Sequence, residues 1–354
     1  MNATQQLHDL GQSLWLDNIT RALLSSGTLA RYIKEFSITG LTSNPTIFDL
    51  ALQSSDLYDE DIRRKSREGK SAESLFFELA LADLTQAADL FSPVHVATNG
   101  VDGWVSLEVS PLLANDSFGT ILAAAALHAR AERPNFFIKI PGTEAGIAAL
   151  EESIFAGVPV NVTLLFSCQQ FIATAEAYMR GIERRIVAGI DPHVASVASL
   201  FVSRWDVAVK DRVPEEFRNC LGIAIAKQCY QAYCDLLASR RWKILADVGA
   251  QPQRLLWAST GVKDSSVFDT LYIEALAAPN TINTIPEKTL LAFAKHGEVG
   301  RQPALDSSDT ALVLADFGRL GIDLDLLATE LQQDGIKSFS LSWESLMSRI
   351  AAKK

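Results

Sequence analysis

Histidine, cysteine and long apolar runs are all scarce in this chain of 354 residues, and each shortage removes a class of function. His8, His95, His128, His193 and His296 are scattered, with no HExxH or other ligand spacing, so nothing points to a catalytic metal. Cys168, Cys220, Cys229 and Cys234 show no CxxC pairing and read as small buried residues of a reducing compartment. No GxGxxG follows the first strand pattern and there is no P-loop, which disfavours a nucleotide-binding sheet. A Ser-His-Asp hydrolase lacks its GxSxG elbow. No apolar stretch approaches the roughly 20 residues of a membrane span, and Met1 to Leu10 lacks the basic-then-apolar design of a signal peptide. Lys and Arg form no block, and the net charge is −10 with a pI near 5.1. Nucleic acid and membrane are therefore not expected as partners, an anionic ligand must rely on a few local cations, and the expected location is cytoplasmic.

What is present is ordinary globular composition, 48% hydrophobic and 21% charged. Eight short apolar runs read as strands, at 13–18, 38–44, 104–110, 136–141, 158–166, 195–203, 255–260 and 281–285. Amphipathic helical patterns lie between them, as at 72–90, 119–133, 144–155, 169–188 and 222–240. Such alternation argues for parallel strands with right-handed crossovers. Eight units at this length predict an α/β fold, a (β/α)8 TIM barrel over residues 1–294, rather than an open sheet. The charged tract at 56–71 reads as a solvated helix or loop. Residues 295–309 have linker character, and the remainder to 354 reads as C-terminal helices packed on the barrel.

Strands of a parallel barrel are buried on both faces, so polar residues within them need a reason. Here they gather toward the carboxyl ends: Asp17; Thr42, Ser43 and Asn44; Glu108; Lys139; Asn161 and Thr163; Ser199, with Ser203 and Arg204 following; and Ser259, with Lys263 four residues on. Barrel active sites are built at that face from several strands. Plainer readings exist for some. Asp17 suits a helix cap, Thr42-Ser43-Asn44-Pro45 suits a helix start, and Thr163 is a normal β-branched strand residue. Glu108 and Lys139 are harder to dismiss, being flanked by apolar neighbours in SLEV and FIKI. A structural ion pair is the alternative for these two, but buried pairs are weak stability devices and perturbed ionisable groups cluster at functional sites.

An amine held among apolar side chains suits carbonyl capture. Desolvation keeps a useful fraction as free base, which adds to a ketone and forms an iminium, an electron sink for cleaving the adjacent carbon–carbon bond. That route needs carboxylates for proton transfer, and Asp17 and Glu108 supply two.

The motifs WLDNITR (15–21), GLTSNPTIF (40–48), DGWVSLEVSP (102–111), FIKIPGTEAG (137–146), GVPVNVTLLFS (157–167), ASLFVSRWD (198–206), LLWASTGVKD (255–264) and NTIPEKTL (283–290) follow one another in an order similar to that of the transaldolase family. The resemblance covers essentially the whole chain. It implies a (β/α)8 barrel in which Lys139 forms a Schiff base with a ketose phosphate and Asp17 serves the hydroxyl at the cleaved bond. By the same resemblance Glu108 and Thr163 shuttle protons through a held water, and Asn44 and Asn161 hold the dihydroxyacetone part. Thr42, Ser199 and Ser259 fall with the pocket lining, and Arg204 matches a phosphate-binding arginine. Where many relatives carry a second arginine, Lys263 on a longer loop is the best match, giving a point charge instead of a fork. The implied reaction moves dihydroxyacetone from sedoheptulose 7-phosphate or fructose 6-phosphate to erythrose 4-phosphate or glyceraldehyde 3-phosphate, in the non-oxidative pentose phosphate pathway. It uses no cofactor, and family members are often homodimers. The alternatives are a Schiff-base aldolase releasing free dihydroxyacetone and a sugar-phosphate-binding barrel without chemistry. The first is a shorter protein and the second predicts a broken catalytic set; the set here is intact.

Overall fold

The computed structural model describes residues 2–300 and 309–353. Eight strands close into a parallel barrel in sequence order. They are β1 (Ser13–Asp17), β2 (Ile38–Thr42), β3 (Trp104–Glu108), β4 (Phe136–Pro141), β5 (Val160–Leu165), β6 (Ser196–Phe201), β7 (Arg254–Ala258) and β8 (Ile282–Ile285). Each overlaps one of the eight apolar runs: β4 matches its run, β7 begins one residue before its own, and the other six are one to three residues shorter. β4, which carries Lys139, pairs with both β3 and β5 and so has no open edge.

Side chains alternate across a strand, so every second residue points into the barrel. The lower interior is aromatic. Trp104 and Phe137 stack at 4.1 Å between ring centroids, with Trp15 at 6.2 Å from Phe137. The Trp15 indole needs the space beside β2: a Cβ on Gly40 would meet it at 2.6 Å. Its Nε1 donates to Asp102 at 2.8 Å, which satisfies the one polar atom the ring buries. Two residues further along these strands the interior turns polar, and there the site begins.

The helices between strands cover the outside. The 56–71 tract forms the helix Asp59–Ser66, charged on its surface but anchored by the fully buried Ile62. The cysteines depart from expectation. Cys229 is buried, Cys168 and Cys220 are half-buried and Cys234 is exposed, and all four are free. After the helix Glu287–His296 come two more helices, Thr310–Arg319 and Leu324–Ala352. Of the expected linker, 301–308 lie outside the described residues. No helix among the described residues is long and apolar enough to cross a membrane.

The last helix spans 29 residues, about 43 Å at 1.5 Å per residue. Asp323 caps it by accepting from the Leu326 N–H at 3.0 Å. Its C-terminal half is held against the helix Pro45–Ser54, where Arg349 pairs with Asp49 at 2.9 Å. Trp343 packs edge-on to Phe76 at 5.0 Å. Its N-terminal half reaches back over the carboxyl ends of β4 to β6.

Candidate active site

Strand register sets the first row of the site. Glu108 on β3 pairs with Lys139 on β4, which in turn pairs with Asn161 on β5. Asp17 and Thr42 are register partners on β1 and β2. Lys139 is 5% exposed; its Nζ lies 3.1 Å from Glu108 Oε2 and donates to the Ser43 carbonyl at 3.0 Å. An ammonium and a carboxylate are thus held together out of water, where desolvation offsets most of their attraction.

Both carboxyls respond to this burial. Desolvation raises Glu108 above the ordinary glutamate range, against the pull of Lys139, and the charge of Asp17 raises it further. Asp17 opens partly to the cavity, yet the dense protein around it lifts its carboxyl as well, opposed by Lys139, by a hydrogen bond from Thr42 and by Lys263. That bond from Thr42 Oγ1 is 2.8 Å, and Thr42 shares a second contact of 2.6 Å with Thr284 Oγ1 on β8. Asp17 caps no helix; Thr20 caps the helix Arg21–Ser25 instead. The plainer reading of Asn44 does hold. Its side-chain oxygen accepts from the Ile47 N–H at 3.0 Å, with Pro45 in the first helical position, and the residue lines the cavity as well.

Thr163 Oγ1 is buried and makes no hydrogen bond to a described residue, which leaves it for a reactant. Asn161 is engaged at both ends of its amide: it donates to Ser106 at 3.1 Å and accepts from Ser199 at 2.7 Å. Asn161 and Glu108 therefore stand behind the cavity wall, whereas Lys139, Asp17, Thr42, Thr163 and Ser199 line it.

The same cavity is lined by two cations, Arg204 and Lys263, with Ser259 between strand and loop. Ser259 adopts a left-handed φ of 55°, an uncommon conformation for a non-glycine residue at a strand end. Its hydroxyl lies 3.0 Å from that of Ser203. Arg204 sits over the Phe201 ring at 5.2 Å, and burial lowers its pKa against the charges of Asp334 and Glu108. The cavity holds about 150 Å³ and adjoins a more open groove of about 660 Å³. Arg204, Lys263 and Ser259 are common to both, so the cations stand at the junction.

The structure thus brings all eleven expected residues to one barrel end, nine on the cavity and two behind it. It also adds residues that strand patterns did not single out. Thr284 is on β8, in the run TINTI, where polar residues within a buried strand were a readable signal. Phe339 belongs to the last helix, 200 residues after Lys139 in the chain, and nothing local in the sequence marks it. What the arrangement can do chemically is capture a carbonyl at Lys139, move protons at Asp17 and Glu108, and hold an anion at Arg204 and Lys263.

Residues 14–350 match the family model described as Transaldolase/Fructose-6-phosphate aldolase. A transaldolase of Thiobacillus denitrificans is 43% identical over 99% of this chain and the whole of that protein. One from Saccharopolyspora erythraea is 42% identical over 98% of this chain and 96% of its own length. One from Neisseria gonorrhoeae is 41% identical over 98% and 99% respectively.

Proposed function

The chain belongs to the transaldolase/fructose-6-phosphate aldolase family and acts as a transaldolase, and from that premise we propose how its residues carry the transfer. The Lys139 amine adds to the ketone of a ketose phosphate, either sedoheptulose 7-phosphate or fructose 6-phosphate. The resulting carbinolamine loses water to give an iminium. Asp17 then takes the proton of the hydroxyl on the far carbon of the scissile bond. As that oxygen becomes an aldehyde, the bonding pair moves into the iminium and leaves an enamine on Lys139. The aldose phosphate departs, an acceptor aldehyde phosphate enters, and the steps run in reverse.

Glu108 and Thr163 handle the protons of carbinolamine formation, Thr163 with a hydroxyl bonded to no described residue and Glu108 from 3.1 Å beside the amine. Asn44 and, through Ser199, Asn161 hold the dihydroxyacetone part. Arg204 and Lys263 hold the phosphate, Ser259 beside them. The reaction belongs to the non-oxidative pentose phosphate pathway, in the cytoplasm.

One observation carries this reading: a buried lysine touching one carboxylate and sharing a 150 Å³ cavity with a second carboxyl and two cations. The carboxyl roles separate in the variant Asp17→Asn. It is expected to form the Lys139 adduct, captured by borohydride, while cleaving roughly 10²- to 10⁴-fold more slowly. A cleavage rate equal to that of the unaltered protein removes Asp17 from its role.

A further inference from the structure

The last helix is built into the site at three separate points. Gln332 Nε2 donates to the carbonyls of Gly142, at 2.9 Å, and Leu164, at 3.0 Å. These follow Pro141 on the strand of Lys139 and Thr163 on β5, and the Gly142 N–H itself bonds the Thr163 carbonyl at 2.7 Å. Leu164 has a left-handed φ of 59°, a conformation that costs a bulky residue of the order of 1 to 2 kcal/mol and persists where the surroundings over-determine it. One turn along from Gln332, a Cβ on Gly335 would meet Leu164 at 2.8 Å and the Arg204 guanidinium at 3.1 Å. So the helix approaches both loop and cation as closely as a glycine allows.

One turn further stands Phe339, 5% exposed. Its ring centroid is 5.9 Å from Lys139 Nζ and 5.8 Å from Arg204 Cζ, the two charged groups between which the proposed substrate lies. A phenyl ring neither donates nor accepts a proton. It lines the cavity beside the amine, from an element outside the barrel strands.

We propose that Phe339 is a specificity-determining residue that favours transfer to an aldehyde over release of free dihydroxyacetone. The proposal rests on the Schiff-base reading above. Release requires the enamine carbon to take a proton, giving an iminium. A water oxygen then bonds the iminium carbon and loses a proton. The carbon–nitrogen bond breaks as the new hydroxyl gives its proton to the amine, and dihydroxyacetone leaves. The first of these steps belongs to release alone and needs a proton donor beside the Lys139 adduct, where the ring presents an apolar surface. Transfer omits that protonation, because the enamine carbon bonds the aldehyde directly while Asp17 returns the proton to its oxygen; hydrolysis of an iminium then ends both routes.

The test compares two initial rates on fructose 6-phosphate: dihydroxyacetone released without acceptor, and transfer with erythrose 4-phosphate. In Phe339→Ala the release-to-transfer ratio is expected to rise about fivefold or more, and in Phe339→Leu about twofold. Leu341→Ala, on the exposed side of the same helix at 58% exposure, is expected to keep the original ratio. Phe339→Leu nearly conserves volume and carries the test if the alanine variant does not fold. A ratio unchanged in the Phe339 variants, or raised equally by Leu341→Ala, overturns the proposal. Borohydride capture keeps the two readings apart. An adduct on Lys139 with an unchanged ratio defeats the role of Phe339 alone, whereas no adduct in the unaltered protein defeats the Schiff base beneath it.

Discussion

At the scale of single residues, the site works through what burial does to charge. Lys139 and Glu108 pair out of water, and the same desolvation raises both Glu108 and Asp17 above the ordinary carboxyl range. A base with a raised pKa is protonated, and so inactive, at a higher pH than a free carboxylate. The acid limb of kcat against pH is therefore expected to have its midpoint above the usual aspartate range, and Asp17→Asn to abolish that limb in the residual activity. A midpoint near the free-aspartate value contradicts the assignment. Lys263 acts at a distance from the chemistry. Lys263→Ala is expected to raise KM for phosphorylated ketoses about tenfold with a smaller change in kcat, because it removes binding common to ground and transition states. An equal effect on unphosphorylated sugars would argue against phosphate contact. Lys139 and Glu108 were legible because a charge between apolar neighbours in a short strand is anomalous in itself. Lys263 was legible only through the family motif, since an exposed loop lysine carries no such anomaly.

At the scale of elements, the eight strands were readable because parallel strands buried on both faces leave continuous apolar runs. Their inward residues were partly readable, since polar side chains at the carboxyl ends break those runs. Register was not. That Glu108 stands opposite Lys139, and Asp17 opposite Thr42, depends on how strands slide past each other in the closed barrel. The last helix was readable as a helix but not as part of the site, because Phe339 meets Lys139 only through tertiary packing. The lower barrel offers a stability test of the same packing. Gly40→Ala places a methyl 2.6 Å from the Trp15 indole and is expected to destabilise the protein by about 1 to 3 kcal/mol in urea unfolding. An unchanged midpoint contradicts the tight β1–β2 packing described.

At the scale of the whole molecule, one buried carboxyl outside the reaction ties stability to pH. Asp206 accepts from Tyr272 at 2.7 Å and from the Leu221 N–H at 2.9 Å, securing the start of the helix Leu221–Ala238. Burial nonetheless raises it from an ordinary 3.8 to about 6. Between those values the folded chain keeps a proton that the unfolded chain has lost. Its contribution is full below about pH 4 and declines by roughly 3 kcal/mol as pH rises through 6. Urea unfolding at pH 4 and pH 7 is expected to show a smaller decline in Asp206→Asn than in the unaltered protein, by about this amount; equal declines contradict it. The central claim concerns the barrel's other polar centre. With fructose 6-phosphate and borohydride, mass mapping is predicted to find a permanent three-carbon or hexose-phosphate adduct on Lys139, absent from Lys139→Ala, which should not turn over. An adduct elsewhere, or full turnover by Lys139→Ala, contradicts the account.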